Sequence, residues 1–407
     1  MTSSKKHFEE FKDHTLLKHT ILEAYVAAWA FKLLQWRGRG DSVFFVDGFA
    51  GAGKDAAGKP GSPVIACRIA QDVRGALGKK QGLERARMKI VAVESDARRF
   101  ASLERTIQPF AEIESDTVFA LRGTMSERFE EVAKITGGAP TLYFLDPFGV
   151  KGLQASLYPK MLAGANNEIL ALFSDLGALR LRGVVHAGTK LEHEIRTLRN
   201  SPSLFPENDR AVEAALAAED ARKQSYRSLY GRKVAKAITD ALGDSSWEED
   251  LRGMGSDEAR EELIIRFARK LIDSGARFVH VLPMRGRTGG HKYCLIHASK
   301  SVKGFTTMKE AVSTSLGKPR LAQEMRELIR EDLRVPIESI VQSLEERFRG
   351  SEVRWSGQKG EDAGTVRRFL LDETDVFDFQ CSDVKETLSK RGWLTRKGVD
   401  TVSFPKE

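Results

Sequence analysis

The chain has 407 residues, is 41% hydrophobic and 30% charged, and carries a formal net charge of +8. This is the profile of a soluble globular chain long enough for one large domain and a smaller one. Nothing in it reads as a secretory leader and no apolar run is long enough to span a bilayer, so no membrane association is expected. Three scattered cysteines, Cys67, Cys294 and Cys381, fit neither a disulfide framework nor a zinc or cluster spacing. They predict a reducing, cytoplasmic setting and no metal site. The basic balance permits a nucleic-acid partner, and equally a solvated surface.

Met1 to Asp13 is polar and expected to be mobile. From Thr15 to Trp36 the apolar residues recur at helical spacing, with a stop at Gly38 and Gly40. Lys18 and His19 lie on this helix. Val43 to Val46 is a buried strand by composition, ending at Asp47. A glycine-rich loop follows, with Gly48, Gly51, Gly53, Gly58 and Gly61, and a helix begins near Pro63. Strand, glycine loop and helix present backbone N–H groups to a ligand at the carboxyl edge of a sheet.

Three ligands fit that loop to different degrees. Gly48 to Lys54 matches a P-loop, but Asp55 stands where Mg²⁺ binding needs Ser or Thr. Gly51-Ala52-Gly53 supplies only the first half of a dinucleotide fingerprint. Asp47-Gly48-Phe49-Ala50-Gly51-Ala52-Gly53, an acid followed by small residues, suits S-adenosylmethionine best. A tight turn without a ligand is the bland alternative, and five glycines in so short a loop argue against it.

Met88 to Glu94 reads as the second strand, and its terminal acid is placed to grip ribose hydroxyls. Ser95-Asp96 caps the next helix. Thr117 to Leu121 is a third strand, followed by Arg122-Gly123-Thr124, placed to flank an adenine. Thr141 to Leu145 is the fourth, running into Asp146-Pro147-Phe148-Gly149, and Glu168 to Phe173 the fifth. Residues 185–260 are charged and alanine-rich, with Tyr226, Tyr230 and Trp247 among the basic residues, and read as a helical insertion. Arg277 to Met284 and His291 to His297, joined by a short turn, form an antiparallel hairpin. The fold class is therefore α/β: an open, mostly parallel sheet with one reversed strand. This unit spans residues 1–317. Residues 318–407 form a small α+β unit, winged-helix-like in its helices followed by a hairpin with Arg391, Arg396 and Lys397.

Asp146-Pro147-Phe148 carries the chemistry. An exocyclic base amine is a poor nucleophile because its lone pair is delocalised into the ring. The Asp146 carboxylate and the Pro147 carbonyl can accept its protons and favour a tetrahedral nitrogen, while Phe148 stacks on the flipped base. A strand-ending turn is the alternative use of these residues.

Asp146-Pro147-Phe148-Gly149 resembles the corresponding motif of tRNA guanine N2-dimethyltransferases and, lacking a second Pro, the Asp-Pro-Pro-Tyr motif of adenine N6-methyltransferases. Over its first three quarters the chain resembles the three-Cys-motif partner family. The resemblance is carried by Lys18-His19 with Tyr25 and Trp29, Val46 to Gly51, Gly61-Ser62-Pro63, Asp146 to Gly149, Tyr293 to Ile296, Gly304-Phe305 and Met308. It implies a Rossmann-like methyltransferase sheet and genetic pairing with a three-cysteine, radical-SAM-like protein. On this view Asp47, Gly48, Phe49, Ala50, Gly51 and Gly53 hold S-adenosylmethionine. Glu94 binds its ribose, Gly123 and Thr124 flank its adenine, Asp146 borders the cofactor and orients the acceptor, and Lys18 and His19 close over the site. The leading expectation is N-methylation of a base in RNA, or less readily DNA. The alternatives are a S-adenosylmethionine-binding adaptor and, disfavoured by Asp55, a P-loop ATPase.

Overall fold

A computed structural model describes residues 2–37, 42–55, 57–114, 116–147, 149–174, 233–251, 253–285, 290–318, 323–357, 364–397 and 399–405. The chain starts with α1 (Thr2–Arg37). This helix extends through the segment expected to be mobile, because Met1 to Asp13 contains neither Gly nor Pro to stop it. Then come β1 (Ser42–Asp47), α2 (Ser62–Leu77), β2 (Arg87–Glu94), α3 (Ala97–Ile113), β3 (Val118–Arg122), α4 (Met125–Thr136), β4 (Thr141–Leu145), the one-turn α5 (Tyr158–Met161) and β5 (Glu168–Phe173). A helix over 233–242, here α6, is followed by α7 (Trp247–Asp250), α8 (Ser256–Asp273) and the hairpin β6 (Phe278–Arg285) and β7 (His291–Ser299).

The seven strands lie in the order β3-β2-β1-β4-β5-β7-β6. β1 to β5 pair in parallel, and β7 runs antiparallel to both β5 and β6. This is the expected mostly parallel sheet with one reversed strand. The central strands are apolar on both faces because helices cover both. Phe45, Ile90, Leu142, Phe144 and Leu170 face α1 and α2, while Phe44, Val46, Tyr143, Leu145 and Ile169 face α4 and α8.

α1 belongs to the sheet's core. Leu17, Ile21, Leu22, Tyr25, Val26, Trp29, Ala30 and Leu34 are all buried in one stripe. At the amino edge of the sheet the Tyr25 hydroxyl donates to Glu168 Oε2. It also lies 2.9 Å from His297 Nε2, and Ser299 Oγ donates to Glu168 Oε1 at 3.0 Å. A Cβ on Gly304 would stand 2.6 Å from Ser299 Oγ, so glycine lets α9 (Val302–Leu316) pass this cluster. Tyr25 and Gly304 thus serve the core, at the edge away from the glycine loop.

Of the predicted insertion, residues 185–232, with Tyr226 and Tyr230, lie outside the described residues. Its remainder is helical and buries Ile238, Ala241, Leu242 and Trp247 against the α4 face. Trp247 Nε1 donates to Thr239 Oγ1 at 3.0 Å, so this aromatic is a core residue and offers no stacking face.

After α9 comes α10 (Gln323–Asp332), whose Ile329 packs with Leu333 in the core of the large sheet. A separate core forms from α11 (Ile337–Phe348), β8 (Glu352–Arg354), α12 (Val366–Glu373), α13 (Cys381–Lys390), β9 (Leu394–Lys397) and β10 (Val399–Ser403). Its three strands are antiparallel in the order β8-β10-β9. Residues 318–407 hold 17 Lys and Arg against 18 Asp and Glu, so the net positive charge lies elsewhere in the chain. Many of the basic residues are committed: Arg391 to Glu338 and Glu345, Arg367 to Asp378, Arg368 to Asp372 and Lys385 to Asp400. The side chains of Arg396 and Lys397 lie outside the described residues. Among the described residues no helix is long and apolar enough to cross a membrane.

Candidate functional site

β1 and β4 are neighbours, and the sheet's connections run outward from them in opposite directions. Ligand crevices of open α/β sheets form at such a switch point, beyond the carboxyl ends of the strands. Asp47 ends β1 and Asp146 directly follows β4, so the sheet order places both acids there.

The loop after Asp47 is pinned to both neighbouring strands. Gly48 N donates to Phe144 O at 2.9 Å and Ala50 N to Val93 O at 2.9 Å. Phe49 N donates to Asp47 Oδ1 at 3.1 Å. The Phe49 ring lies under the loop after β4, where a Cβ on Gly152 would come within 2.7 Å of it. These three residues therefore shape the loop with their amides already used. The tip differs: the amides of Gly51, Ala52 and Gly53 donate to no described residue. Gly51 has φ +63° and open space where a Cβ would stand. Gly53 has φ +80° with a Cβ position 2.9 Å from Thr106 Cγ2. Only glycine holds the tip in this conformation without strain.

Beyond the tip the chain makes a small hairpin, with Lys54 bridged to Pro60 and Gly61 N donating to Gly53 O at 2.8 Å. The Asp55 carboxylate accepts the amides of Ala57 and Lys59 at 2.9 and 2.8 Å. α2 begins only at Ser62. A P-loop runs from its Lys-Ser/Thr directly into the helix, so this hairpin removes the geometric basis for that alternative.

Asp47 is fully buried, and among the described residues its Oδ2 has no partner in hydrogen-bonding geometry. Burial pushes its carboxyl from the usual value up to about 7; the charge of Asp146 adds to this, while Ser62, the Phe49 amide and Lys18 oppose it. Lys18 reaches down from α1 and places Nζ 2.5 Å from Asp146 Oδ2, with the two side chains 12% and 23% exposed. Its neighbour His19 is held neutral: burial, then the Lys18 charge, lowers its pKa to about 4 against the pull of Asp146, Glu23 and Asp55. Burial and then the Asp146 charge hold the Tyr293 phenol well above its usual value. Tyr293 on the reversed strand β7 is thus part of this neighbourhood. The sequence flags it only within the family resemblance, because nothing local to β7 announces that it lies near β4.

Glu94, at the end of β2, is 5% exposed. Its Oε1 accepts Asp96 N at 2.7 Å and pairs with Arg99 at 3.1 Å. Gly123 N donates to Glu94 O at 3.0 Å, drawing the β3 loop to this strand end. Thr124 closes a capping box with Glu127 at the start of α4, so its side chain serves that helix. Pro147 is buried and Phe148 lies outside the described residues. The structure therefore brings together Lys18, His19, Asp47, Asp146 and the Gly51 to Gly53 tip, with Glu94 one strand away on β2. Gly123 and Thr124 lie at β3, two strands from β1.

Two cavities lie elsewhere. One of about 800 Å³ opens between β6, α9 and α12, and one of about 470 Å³ between α2, β2 and α3. Neither borders Asp47, Glu94 or Asp146. In comparisons with protein-family models, curated proteins and solved structures, the chain matches none of them.

Proposed function

We propose that the chain is a S-adenosylmethionine-dependent methyltransferase acting on an exocyclic base amine of a nucleic acid, RNA before DNA. The observation that carries this is the pair of acids at the switch point: buried Asp47 with an orphaned Oδ2 beside the glycine tip, and Asp146 on the adjacent strand end. A buried acceptor without a partner is costly, and a ligand donor relieves that cost. The α-ammonium of a methionine moiety is such a donor. The Gly51 to Gly53 amides suit its carboxylate and Glu94 its ribose, so the residues present fit this group. The antiparallel terminal hairpin on a parallel sheet also agrees with the methyltransferase sheet implied by the motif resemblance.

S-adenosylmethionine supplies a methyl group on a sulfonium sulfur. The chain's residues act on the other reactant. Asp146 and the Pro147 carbonyl would accept hydrogen bonds from the amine, localise its lone pair toward the methyl carbon and stabilise the positive charge that develops on nitrogen as the N–C bond forms and the S–C bond breaks, and the Asp146 carboxylate would then accept the proton that nitrogen loses. Lys18 occupies Asp146 in the resting protein, so an arriving amine displaces its ammonium. The C-terminal unit is read as winged-helix-like on its helices and hairpin.

The Lys18–Asp146 pair also favours a second reading, in which Asp146 is a closed structural acid and the chain is a S-adenosylmethionine-binding adaptor for a three-cysteine protein. Two measurements separate the readings. S-adenosylmethionine raises the melting temperature under both, since it binds only the folded state. Tritium transfer from labelled S-adenosylmethionine to total RNA or DNA, resolved by nucleoside analysis, occurs only under the first; its absence with a ligand-dependent melting shift leaves the adaptor.

A further inference from the structure

The net charge of +8 does not come from the C-terminal hairpin unit, which is close to neutral. A row of basic residues lies instead along the carboxyl edge of the large sheet. Arg122 ends β3, Arg98 stands in the first turn of α3, Lys54 and Lys59 flank the hairpin after β1, Lys151 follows β4 and Lys292 is the second residue of β7. Each except the half-buried Lys292 is exposed. None of the six makes an ion pair within the described residues. The acids on the same edge are otherwise engaged. Asp55 accepts two amides of its own hairpin, Asp96 accepts the Arg98 and Arg99 amides at 3.1 and 2.9 Å, and Glu127 accepts the Thr124 amide at 2.8 Å. These exposed acids keep their charge, so the edge is positive by excess: six unpaired Lys and Arg stand against Asp55, Asp96 and Glu127.

We propose that this row binds the sugar–phosphate backbone of a single-stranded nucleic acid, so that the acceptor strand crosses the sheet's carboxyl edge with one base turned down to Asp146. The inference rests on the methyltransferase reading for its orientation and on the charges for its affinity. Strands are spaced about 4.8 Å apart, so a row from β3 to β7 spans roughly 24 Å, the reach of several nucleotides. The row passes on both sides of the switch point. Asp146, only 23% exposed and below that rim, is reached by a base swung out of its stack. A nucleic-acid strand supplies regularly spaced phosphates for the cations together with planar base amines to deliver to Asp146.

The test uses the full chain and a fluorescein-labelled RNA of mixed sequence longer than ~16 nucleotides, the upper site size of one single-strand-binding module. Binding is followed by anisotropy across a KCl series. Release of counterions from five or six phosphates gives a log–log slope of about −3.5 to −4. The triple variant Lys54→Ala/Lys59→Ala/Lys151→Ala reduces that slope by about 2 and weakens binding at low salt at least tenfold. Its melting shift with S-adenosylmethionine is unchanged. Lys79→Ala/Lys80→Ala, ahead of the amino end of β2, binds RNA as wild type does. An unaltered salt slope in the triple variant overturns the proposal. So does polyglutamate competing as well as RNA. RNA binding lost in the triple variant, in a protein that shows no methyl transfer, leaves the row standing and removes the catalytic reading. Methyl transfer to RNA that the triple variant performs as well as wild type does the reverse.

Discussion

Lys18 Nζ and Asp146 Oδ2 lie 2.5 Å apart although 128 positions separate the residues. The pair joins the first helix to the end of the fourth strand and fills the carboxylate on which the proposed chemistry depends. Asp146→Asn keeps one acceptor oxygen but no charge. It should lower methyl transfer by ~10²–10³, the scale of losing one transition-state hydrogen bond, while calorimetric affinity for S-adenosylmethionine stays within about twofold, well under the effect of a lost charged hydrogen bond. Wild-type turnover in a folded Asp146→Asn protein would remove Asp146 from the mechanism.

Asp47 and His19 predict opposing pH effects. Asp47 rises from 3.8 to about 7 on folding, so the native state retains a proton that the unfolded state has lost. Stability from this group is complete below pH 3.8 and declines as pH rises to about 7, by roughly 4 kcal/mol in all. His19 falls from 6.5 to about 4, so its contribution is complete above pH 6.5 and is lost as pH falls to about 4. The two slopes offset each other between these limits. Asp47→Asn removes one of them. Its melting temperature should exceed that of wild type by a margin that grows from pH 5 to pH 8, and its affinity for S-adenosylmethionine should fall. A melting difference that does not change between pH 5 and 8 would show that Asp47 carries no such proton.

The same carboxyl predicts the pH dependence of the ligand. An ammonium donor binds the ionised form of Asp47, so affinity for S-adenosylmethionine should drop about tenfold per unit below pH 7. Lys18 helps to hold the Asp47 value down. Lys18→Met should therefore move the pH at which affinity falls to a higher value. Calorimetry between pH 5.5 and 8.5 reads both shifts, and superimposable profiles for the two proteins would exclude the coupling.

Gly51 and Gly53 separate ligand effects from folding effects. A Cβ on Gly51 meets nothing, so Gly51→Ala costs only left-handed strain of about 1–2 kcal/mol. It should abolish binding of S-adenosylmethionine while the protein remains folded. Gly53→Ala adds a 2.9 Å approach to Thr106 Cγ2, and should lower the melting temperature further. Equal ligand affinity in Gly51→Ala and wild type, by calorimetry, would place the ligand away from the tip.

Lys309 pins the C-terminal unit to the sheet. It is fully buried, Nζ donates to Leu371 O at 2.9 Å and to Thr374 O, and burial lowers its pKa to about 8. Lys309→Met removes the Lys309 donor from both carbonyls, leaving Leu371 O only the Thr306 hydroxyl at 3.4 Å, and should cost about 1–3 kcal/mol. Limited proteolysis should then cut more readily between α9 and α12; an unchanged digestion pattern would mean that other contacts hold the unit in place.

The sequence by itself determined the elements and their chemistry. Short apolar β-branched runs and helical periodicity located β1 to β7 and the buried stripe of α1, and Asp47, the glycines and Asp146 were legible as strand-end residues. These features are local, because backbone preference and side-chain alternation act over a few residues. Tertiary structure decided which of them meet. Only the strand order sets Asp47 beside Asp146, brings Tyr293 near them and carries Lys18 onto Asp146, since pairing between distant strands depends on long-range packing that no local pattern encodes. It also separated residues that share a motif: Gly51 faces open space while Gly53 packs on Thr106, and Thr124 caps a helix. The positive character of the carboxyl edge follows the same rule. The sequence gives every charge its sign, but whether a charge faces solvent or is satisfied by a neighbour depends on three-dimensional proximity, and that is fixed only when the chain has folded.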